Sequence, residues 1–238
     1  MKLRLLAAAT LAALAFAAGT AAAQDTTSEK GKLSYALGYS TGQDIARMVK
    51  RGEQVDMATL IKAMQDAAAG KEPAVAGEQL QAAIDNMQRR EMARAKAEFD
   101  KLSVDNKTKS EAFLARNRTS PGVKVLPSGL QYRVIDAGTG PKPTQASEVQ
   151  VQYKTSLPDG QTIADTTQSV NGQPAAPLTV KISEVQMKGL REALLNMPAG
   201  SRWEVVLPAD LARGSGTDAG RLVNQALVFD LKLIAITK

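Results

Sequence analysis

The longest stretch of this chain without proline or glycine runs from residue 78 to residue 120. Both residue types interrupt helices, and β-branched runs are few here, so the segment favours a single helix that begins near Gly77. At 1.5 Å per residue, about 40 residues of helix extend about 60 Å. A small globular domain does not need so long a helix, which indicates an arm or a connector.

The two halves of this predicted helix differ in polarity. The first half carries apolar side chains at helical spacing, namely Leu80, Ile84, Met87 and Ala95. The second half, "KLSVDNKTKSEAFLARN", is mostly polar, with Phe113 and Leu114 near its end. We therefore predict that the first half is packed and that the second half crosses solvent as a connector.

Two shorter helices are predicted before the long one. In "KLSYALGYSTGQDIARMVK", which Gly52 closes, four apolar residues lie near one face: Leu33, Leu37, Ile45 and Met48. The second helix runs from about Asp56, a suitable N-cap, to Ala69, and Gly70 stops it. We expect its apolar residues to be buried, namely Leu60, Ile61 and Met64.

Three helices with one protruding arm leave much apolar surface to cover. Five of the eight methionines lie in this part, namely Met48, Met57, Met64, Met87 and Met92. Their flexible thioethers suit a contact between chains, and they suit a core within one chain equally well. Pairing two chains covers the surface most simply, so we predict a homodimer through the N-terminal helices.

After "SPGVKVLPSG" the apolar pattern changes to period two. Five segments alternate apolar with polar residues between turn residues: "LQYRVIDAG", "EVQVQYKTSLPDG", "APLTVKIS", "SRWEVVLP" and "ALVFDLKLIAI". Only residues 184–196 interrupt them with a helical pattern. The fold class is therefore α+β, with an antiparallel sheet wrapped around one short helix.

Residues 1–23 have the three-part pattern of a secretory signal peptide. Lys2 and Arg4 precede an apolar run that is short for a membrane span, and small residues follow up to Ala23. A transmembrane anchor is the alternative. Export without membrane insertion predicts a periplasmic protein, with the outer surface or secretion as further possibilities.

The composition excludes several classes of chemistry. The chain has no cysteine and no histidine, which removes disulfides, a lipidated cysteine, His-ligated metals and Ser-His or Cys-His nucleophiles. We expect no metal and no cofactor. The net charge is +6, but the signs are mixed and aromatic residues are only 4% of the chain, so we expect no nucleic-acid partner.

Several segments together resemble a known family, the exported dimeric FKBP-type peptidyl-prolyl isomerases of the macrophage infectivity potentiator type. They are "KLSYALGYSTGQDI" and "MQDAAAGK", followed by "PGVKVLPSGLQYRVIDAGTGPKP", "VQYKTSLPDG", "ALLNMPAGSRWEVVLPADLARG" and "LVFDLKLI". The resemblance covers nearly the whole chain after the signal peptide. It implies a helical dimerisation domain with the arm helix in residues 24–117 and an FKBP-type domain in residues 118–238.

The resemblance implies a folding helper that accelerates cis/trans isomerisation of Xaa-Pro bonds in unfolded or folding exported proteins. The uncatalysed barrier is about 20 kcal/mol, with half-times of tens of seconds. No covalent bond is made or broken, so histidine is not required. The alternative is a dimeric holdase chaperone whose FKBP-like domain is catalytically inactive.

The family's catalytic residues carry over onto Tyr153 in "VQY", Asp165 and Phe229. Its substrate-binding positions carry over onto Ile163, Ala164, Val185, Gln186, Leu190 and Arg213. We expect the Asp165 carboxylate to meet the Tyr153 hydroxyl or another nearby donor, since a carboxylate in an apolar pocket is costly without hydrogen bonds.

Four of these positions depart from the family pattern. Ala164 stands where the family has an aromatic residue, Gln186 where it has isoleucine, Leu190 where it has tryptophan and Arg213 where it has tyrosine. The polar loop "SGTDAGRLVN" replaces an apolar one and is expected to be mobile and wet. We therefore expect a weakened site with low macrolide affinity. Trp203, the only tryptophan, follows a turn at a strand position and is predicted to be a core residue.

Overall fold

The computed structural model describes residues 25–169, 173 and 175–238. The predicted signal peptide, residues 1–23, lies outside the described residues. The chain forms two compact units, which divide between Met87 and Gln88. The assignment of residues 24–117 and 118–238 to separate domains stays a prediction.

Helix α1 spans Glu29–Lys50 and ends where the sequence predicts. Its N-cap is Ser28, whose hydroxyl accepts a hydrogen bond from the amide of Gly31 at 3.0 Å. Gly52 follows the helix with φ 96°, a conformation that glycine adopts without steric cost. Both ends of the helix are therefore determined locally.

Helix α2 spans Met57–Ala68, and its predicted cap and stop are confirmed. The carboxylate of Asp56 accepts a hydrogen bond from the amide of Thr59 at 2.7 Å, which satisfies one free N–H of the first turn. Hydrogen bonding to Thr59 also lowers the pKa of Asp56. Gly70, at φ 69°, stops the helix.

The prediction that the apolar face of α2 is buried is wrong for a single chain. Ile61 and Met64 are exposed, and Leu60 is only half-buried. Leu33 and Leu37 of α1 are exposed as well. Among the residues that the structure describes, no apolar side chain of α1 or α2 is buried.

Helix α3 spans Gly77–Asn117 and confirms the single long helix. The predicted distribution of its contacts is wrong. Leu80 and Ile84 in the first half are exposed, whereas Asn106 and Ser110 in the second half are buried. The second half is therefore packed against the protein instead of crossing solvent.

Polar side chains hold the second half of α3 to the segment of residues 221–226. The amide of Asn106 donates to the carbonyl of Val223 at 2.9 Å and to that of Arg221 at 3.2 Å. The Ser110 hydroxyl accepts from the backbone N–H of Ala226 at 2.8 Å. We call these hydrogen bonds, with that from the Asn224 amide to Ser103 at 2.8 Å, the helix latch.

The helix latch predicts that Ser110→Ala destabilises the second unit. The substitution leaves the buried N–H of Ala226 without its acceptor, which costs about 1 to 3 kcal/mol. Urea unfolding followed by the fluorescence of Trp203 measures the loss, because this sole tryptophan lies in that unit. Thr108→Ala, an exposed change on the same helix, is the control. Equal midpoints for the two variants would argue against the latch.

Among its described residues the second unit also contains a seven-stranded antiparallel sheet, which confirms the predicted fold class. The strand order is β1-β2-β6-β7-β3-β4, and β5 pairs with β3. The strands are β1 Val123–Val125, β2 Gln131–Asp136, β3 Glu148–Ser156, β4 Thr162–Asp165, β5 Leu178–Lys181, β6 Arg202–Leu207 and β7 Leu227–Ile236. The alternating segments of the sequence included neither β1 nor β4.

Helix α4, Lys188–Asn196, packs its buried Ala193 and Leu194 into the apolar core formed with the sheet. Gly189 permits the close approach at its first turn. A Cβ at this position would lie 2.6 Å from Leu207 Cδ2 and 2.9 Å from Leu211 Cβ. The absence of a side chain at Gly189 thus fixes the position of Leu190, the next residue.

Candidate functional site

Tyr153 on β3 and Phe229 on β7 form an aromatic pair. In the β3/β7 register Tyr153 lies opposite Leu231 and Thr155 lies opposite Phe229, so the two rings are diagonal neighbours on one face. Their centroids are 5.8 Å apart, with 59° between the ring planes. Phe229 is 2% exposed, whereas Tyr153 is half-buried. One ring of the pair therefore lies in the core, and the other is partly accessible to solvent.

Val185 and Leu190 pack against the same apolar cluster as this pair. Val185 follows the short 3-10 helix Ile182–Glu184, and Leu190 lies in the first turn of α4. Both side chains are half-buried. Four of the predicted site residues thus belong to one apolar core cluster or pack against it, and we call these four the aromatic cluster: Tyr153, Val185, Leu190 and Phe229.

Asp165 ends β4 and does not meet the Tyr153 hydroxyl. Its carboxylate accepts hydrogen bonds from the backbone N–H of Thr167 at 2.9 Å and from the Thr167 hydroxyl at 2.6 Å. Among the described residues the hydroxyl of Tyr153 is not one of its partners. The hydrogen bonds from Thr167, with smaller contributions from Gln168 and the charge of Lys154, lower the pKa of Asp165.

Strand register explains this arrangement. Asp165 pairs with Lys154, and side chains alternate between the two faces of a strand, so Asp165 shares the face of Lys154 and not that of Tyr153. Of the two predicted partners, the nearby donor is therefore the correct one, and the hydroxyl of Tyr153 is not. Asp165 is half-buried, and its hydrogen bonds with Thr167 close the turn after β4.

Thr166, which the sequence reasoning missed, links β4 to Tyr153. Its hydroxyl accepts from the N–H of Tyr153 at 2.8 Å and donates to the carbonyl at 3.0 Å, while its own N–H donates to that carbonyl at 2.9 Å. The sequence signal is "ADTT", in which hydroxyl residues directly follow a strand. Thr166 thus holds the backbone of Tyr153 in place.

The other predicted site residues lie outside the aromatic cluster. Ile163 is 40% exposed, and Ala164, Gln186 and Arg213 are exposed too. Leu190 is the only one of the four substituted positions that packs against the core cluster. Leu190 therefore belongs to this surface, whereas Ala164, Gln186 and Arg213 do not pack against the cluster.

Trp203 is a core residue, as predicted. It is 5% exposed, lies opposite Leu231 on β7 and stacks on Tyr132 with ring centroids 4.3 Å apart and 14° between the planes. The stack joins strands β2 and β6, where Trp203 lies opposite Val134. It stabilises the sheet from within.

The loop "SGTDAGRLVN", residues 215–224, was expected to be mobile and wet, and the structure agrees only in part. Thr217 and Asp218 are exposed, but Val223 is fully buried and Ala219 is 9% exposed, so the loop is not wet throughout. Asn224 adopts φ 53°, a conformation that asparagine tolerates better than most residues, and its N–H donates to the carbonyl of Gly214 at 3.0 Å. The helix latch holds this part of the loop.

Within the part of the chain that the structure describes, no group of acidic residues could hold a metal ion. No helix in the same part combines the length and the apolar character that a bilayer crossing requires.

Two family models match the chain. The domain amino terminal to FKBP-type peptidyl-prolyl isomerase matches residues 30–134, and the FKBP-type peptidyl-prolyl cis-trans isomerase model matches residues 140–234. The matches cover both compact units, and the first of them includes all of α3.

The chain is also similar to individual proteins over most of its length. It is 40% identical to the outer membrane protein MIP of Legionella longbeachae over 240 residues, covering 100% of this chain and 99% of that protein. It is 34% identical to the peptidyl-prolyl cis-trans isomerase Mip of Coxiella burnetii, over 91% of each chain. The crystal structure of FkpA from Escherichia coli matches with a TM-score of 0.66 at 29% identity, over 88% of this chain and 97% of that one.

Proposed function

Because this chain belongs to the FKBP-type peptidyl-prolyl cis-trans isomerases, we propose that it isomerises Xaa-Pro bonds of exported proteins at the aromatic cluster, with a weakened site. The observation that carries this assignment is the ring contact between Tyr153 and Phe229, in the core cluster against which Val185 and Leu190 also pack. These four residues belong to the set that the family resemblance selects, and they come from three separate segments of the chain.

An apolar, partly enclosed surface suits this reaction. Rotation about the amide removes its resonance and makes the carbonyl less polar, so a dry surface stabilises the twisted amide relative to the planar one. The aromatic rings and Val185 supply that surface. The Tyr153 hydroxyl makes no hydrogen bond with a described residue, so it is available to donate to a substrate carbonyl.

The proposed weakening follows from the substituted positions. Leucine at position 190 offers less apolar surface than an indole, a loss of roughly 1 to 3 kcal/mol at about 25 cal/mol per Å². Ala164, Gln186 and Arg213 provide no aromatic or apolar wall of comparable size. Asp165 remains in the proposed site as the residue that fixes the turn after β4, not as one that contacts the substrate.

Tyr153→Phe tests the site without removing the ring. We expect the rate of cis/trans exchange in a short Xaa-Pro peptide to fall about two- to tenfold, because one hydrogen bond to the substrate contributes about 0.5 to 1.5 kcal/mol. Magnetisation-exchange NMR measures this rate. Tyr132→Phe removes a hydroxyl from the ring stacked on Trp203 and is the matched control. Equal rates for both variants would remove Tyr153 from the site.

A holdase activity is the second candidate, favoured by the apolar side chains that α1 and α2 expose. Leu33, Leu37 and Tyr39 of α1 are about 60% exposed, and Ile61 of α2 is 50% exposed. Such a surface can bind a second chain or an unfolded client. Suppressed aggregation of thermally unfolded citrate synthase, combined with no acceleration of prolyl exchange, would favour the holdase over the isomerase.

We also propose that the exposed face of α1 forms a homodimer. The chain has a mass of 25.2 kDa, so light scattering at micromolar concentration is expected to give about twice this mass, less the signal peptide. Leu37→Glu places a charge on that face and is expected to yield monomers. Leu178→Glu, at an exposed position of β5, should stay dimeric. A monomeric wild-type protein would contradict the proposal.

The proposed location is the periplasm, reached through the signal peptide pattern of residues 1–23. The relative from Legionella longbeachae is named an outer membrane protein, which makes the outer surface the alternative. Fractionation of expressing cells distinguishes the two locations.

A further inference from the structure

A cavity of about 460 Å³ lies between the second half of α3, the turn after β3 and the end of the loop before β7. All of its lining residues belong to the second compact unit. Tyr153, Val185, Leu190 and Phe229 do not line it. It is therefore separate from the aromatic cluster, and neither the predicted site residues nor the proposed reaction uses it.

The cavity is lined by apolar side chains and by one side-chain amide that has no hydrogen-bond partner among the described residues. Leu102 and Phe113 of α3 contribute apolar surface, as do Leu157 and Pro158 after β3. Gln225 also lines the cavity, although the residue is 6% exposed. Its carboxamide makes no hydrogen bond with any described residue, so it can donate to and accept from a group that enters the cavity. A ligand with both apolar and hydrogen-bonding groups fits such a lining.

The charge around the cavity is positive. Lys109, Arg116 and Arg221 line it, against a single carboxylate from Asp159. None of the three cations forms an ion pair with a residue in the described ranges. Arginine binds carboxylates with two parallel hydrogen bonds, so two free guanidinium groups beside an apolar surface favour an acidic ligand that also has apolar side chains.

The walls of the cavity are held in place before any ligand binds. Asn106, which also lines the cavity, is the central residue of the helix latch and fixes α3 to the backbone of Arg221 and Val223. A preformed site avoids much of the ordering cost of binding. A volume of 460 Å³ falls within the usual range of ligand pockets.

We propose that this cavity binds an acidic, apolar segment of a polypeptide client, independently of proline. The carboxylates of the segment pair with Lys109, Arg116 and Arg221, an aromatic or aliphatic side chain enters beside Phe113 and Leu157, and Gln225 hydrogen-bonds the peptide backbone. The site holds a client in the same compact unit as the isomerase surface, but its binding does not depend on isomerase activity.

The test uses a fluorescein-labelled peptide, Ser-Gly-Glu-Phe-Glu-Leu-Gly-Ser, which contains no proline. Fluorescence anisotropy with the mature protein should show saturable binding that weakens as salt is added. The same peptide with lysine in place of both glutamates should bind at least about tenfold more weakly, because like charges then meet. Equal binding of the two peptides would overturn the proposal.

Charge reversal on the protein locates the binding. The double variant Lys109→Glu and Arg116→Glu should lose about tenfold or more in affinity for the acidic peptide, whereas Lys101→Glu, an exposed change on the same helix outside the cavity, should lose little. Gln225→Glu, which places a negative charge inside the cavity, should also weaken binding. Thermal unfolding establishes that each variant is folded. Unchanged affinity in folded cavity variants would overturn the assignment.

Discussion

Leu190→Trp is expected to raise the isomerase kcat/KM of this protein by about tenfold. Residue 190 is half-buried in the first turn of α4 and packs against the core cluster that contains Phe229. An indole at this position restores the residue type that the family resemblance places there. The added apolar contact is roughly 1 to 3 kcal/mol, and about 1.4 kcal/mol corresponds to tenfold in rate if the contact favours the twisted amide.

A matched variant separates this effect from a general change in packing. Leu195→Trp makes the same replacement at another half-buried position of α4 that packs against the same core. It should leave the exchange rate of an Xaa-Pro peptide unchanged. Calorimetry with a macrolide inhibitor should show tighter binding for Leu190→Trp only. An equal response of the two variants would show that residue 190 is not part of the catalytic surface.

Gly138→Ala is expected to destabilise the second unit by about 3 kcal/mol, at the upper end of the usual range for overpacking. A Cβ at this position would lie 2.3 Å from the carbonyl oxygen of Ala199, 2.5 Å from the nitrogen of Ser201 and 2.8 Å from the carbonyl carbon of Gly200. All three are backbone atoms, so no flexible side chain can move aside.

The surrounding hydrogen bonds make this contact hard to relieve. Gly138 N–H donates to the Ser201 hydroxyl at 3.0 Å, Gly140 N–H donates to the Ala199 carbonyl at 3.1 Å, and Ala199 N–H donates to the Pro141 carbonyl at 3.0 Å. Urea unfolding monitored by Trp203 fluorescence measures the effect. Gly216→Ala is the control, since nothing lies within 4 Å of its Cβ and its φ is −76°. A Gly138→Ala midpoint equal to that of the control would contradict the expected clash.

Local signals in the sequence predicted much of this fold. Asp56, Gly52 and Gly70 mark helix ends because caps and left-handed glycines act within a few residues of the chain. Strands β3 and β7 could be predicted because buried side chains alternate along them. Trp203 could be placed in the core because it occupies an apolar position of such a strand.

The contacts of α3 could not be predicted in the same way. Ser103, Asn106 and Ser110 are polar, so a pattern based on hydrophobicity assigns them to solvent, yet each forms a hydrogen bond across more than 110 residues of sequence. The orientation of Asp165 could not be predicted from the sequence either. Its residue type indicated that it would accept hydrogen bonds, but only the β3/β4 register determines that it faces away from Tyr153.

An NMR titration with an Xaa-Pro peptide tests the central claim most directly. Chemical shifts of the labelled mature protein are followed as the peptide is added. Proline binding at the aromatic cluster predicts saturable shifts at Tyr153, Val185, Leu190 and Phe229, and these shifts should report the same affinity as the exchange kinetics. Saturable shifts confined to α1 and α2, with none in the aromatic cluster, would contradict the isomerase assignment and support a holdase.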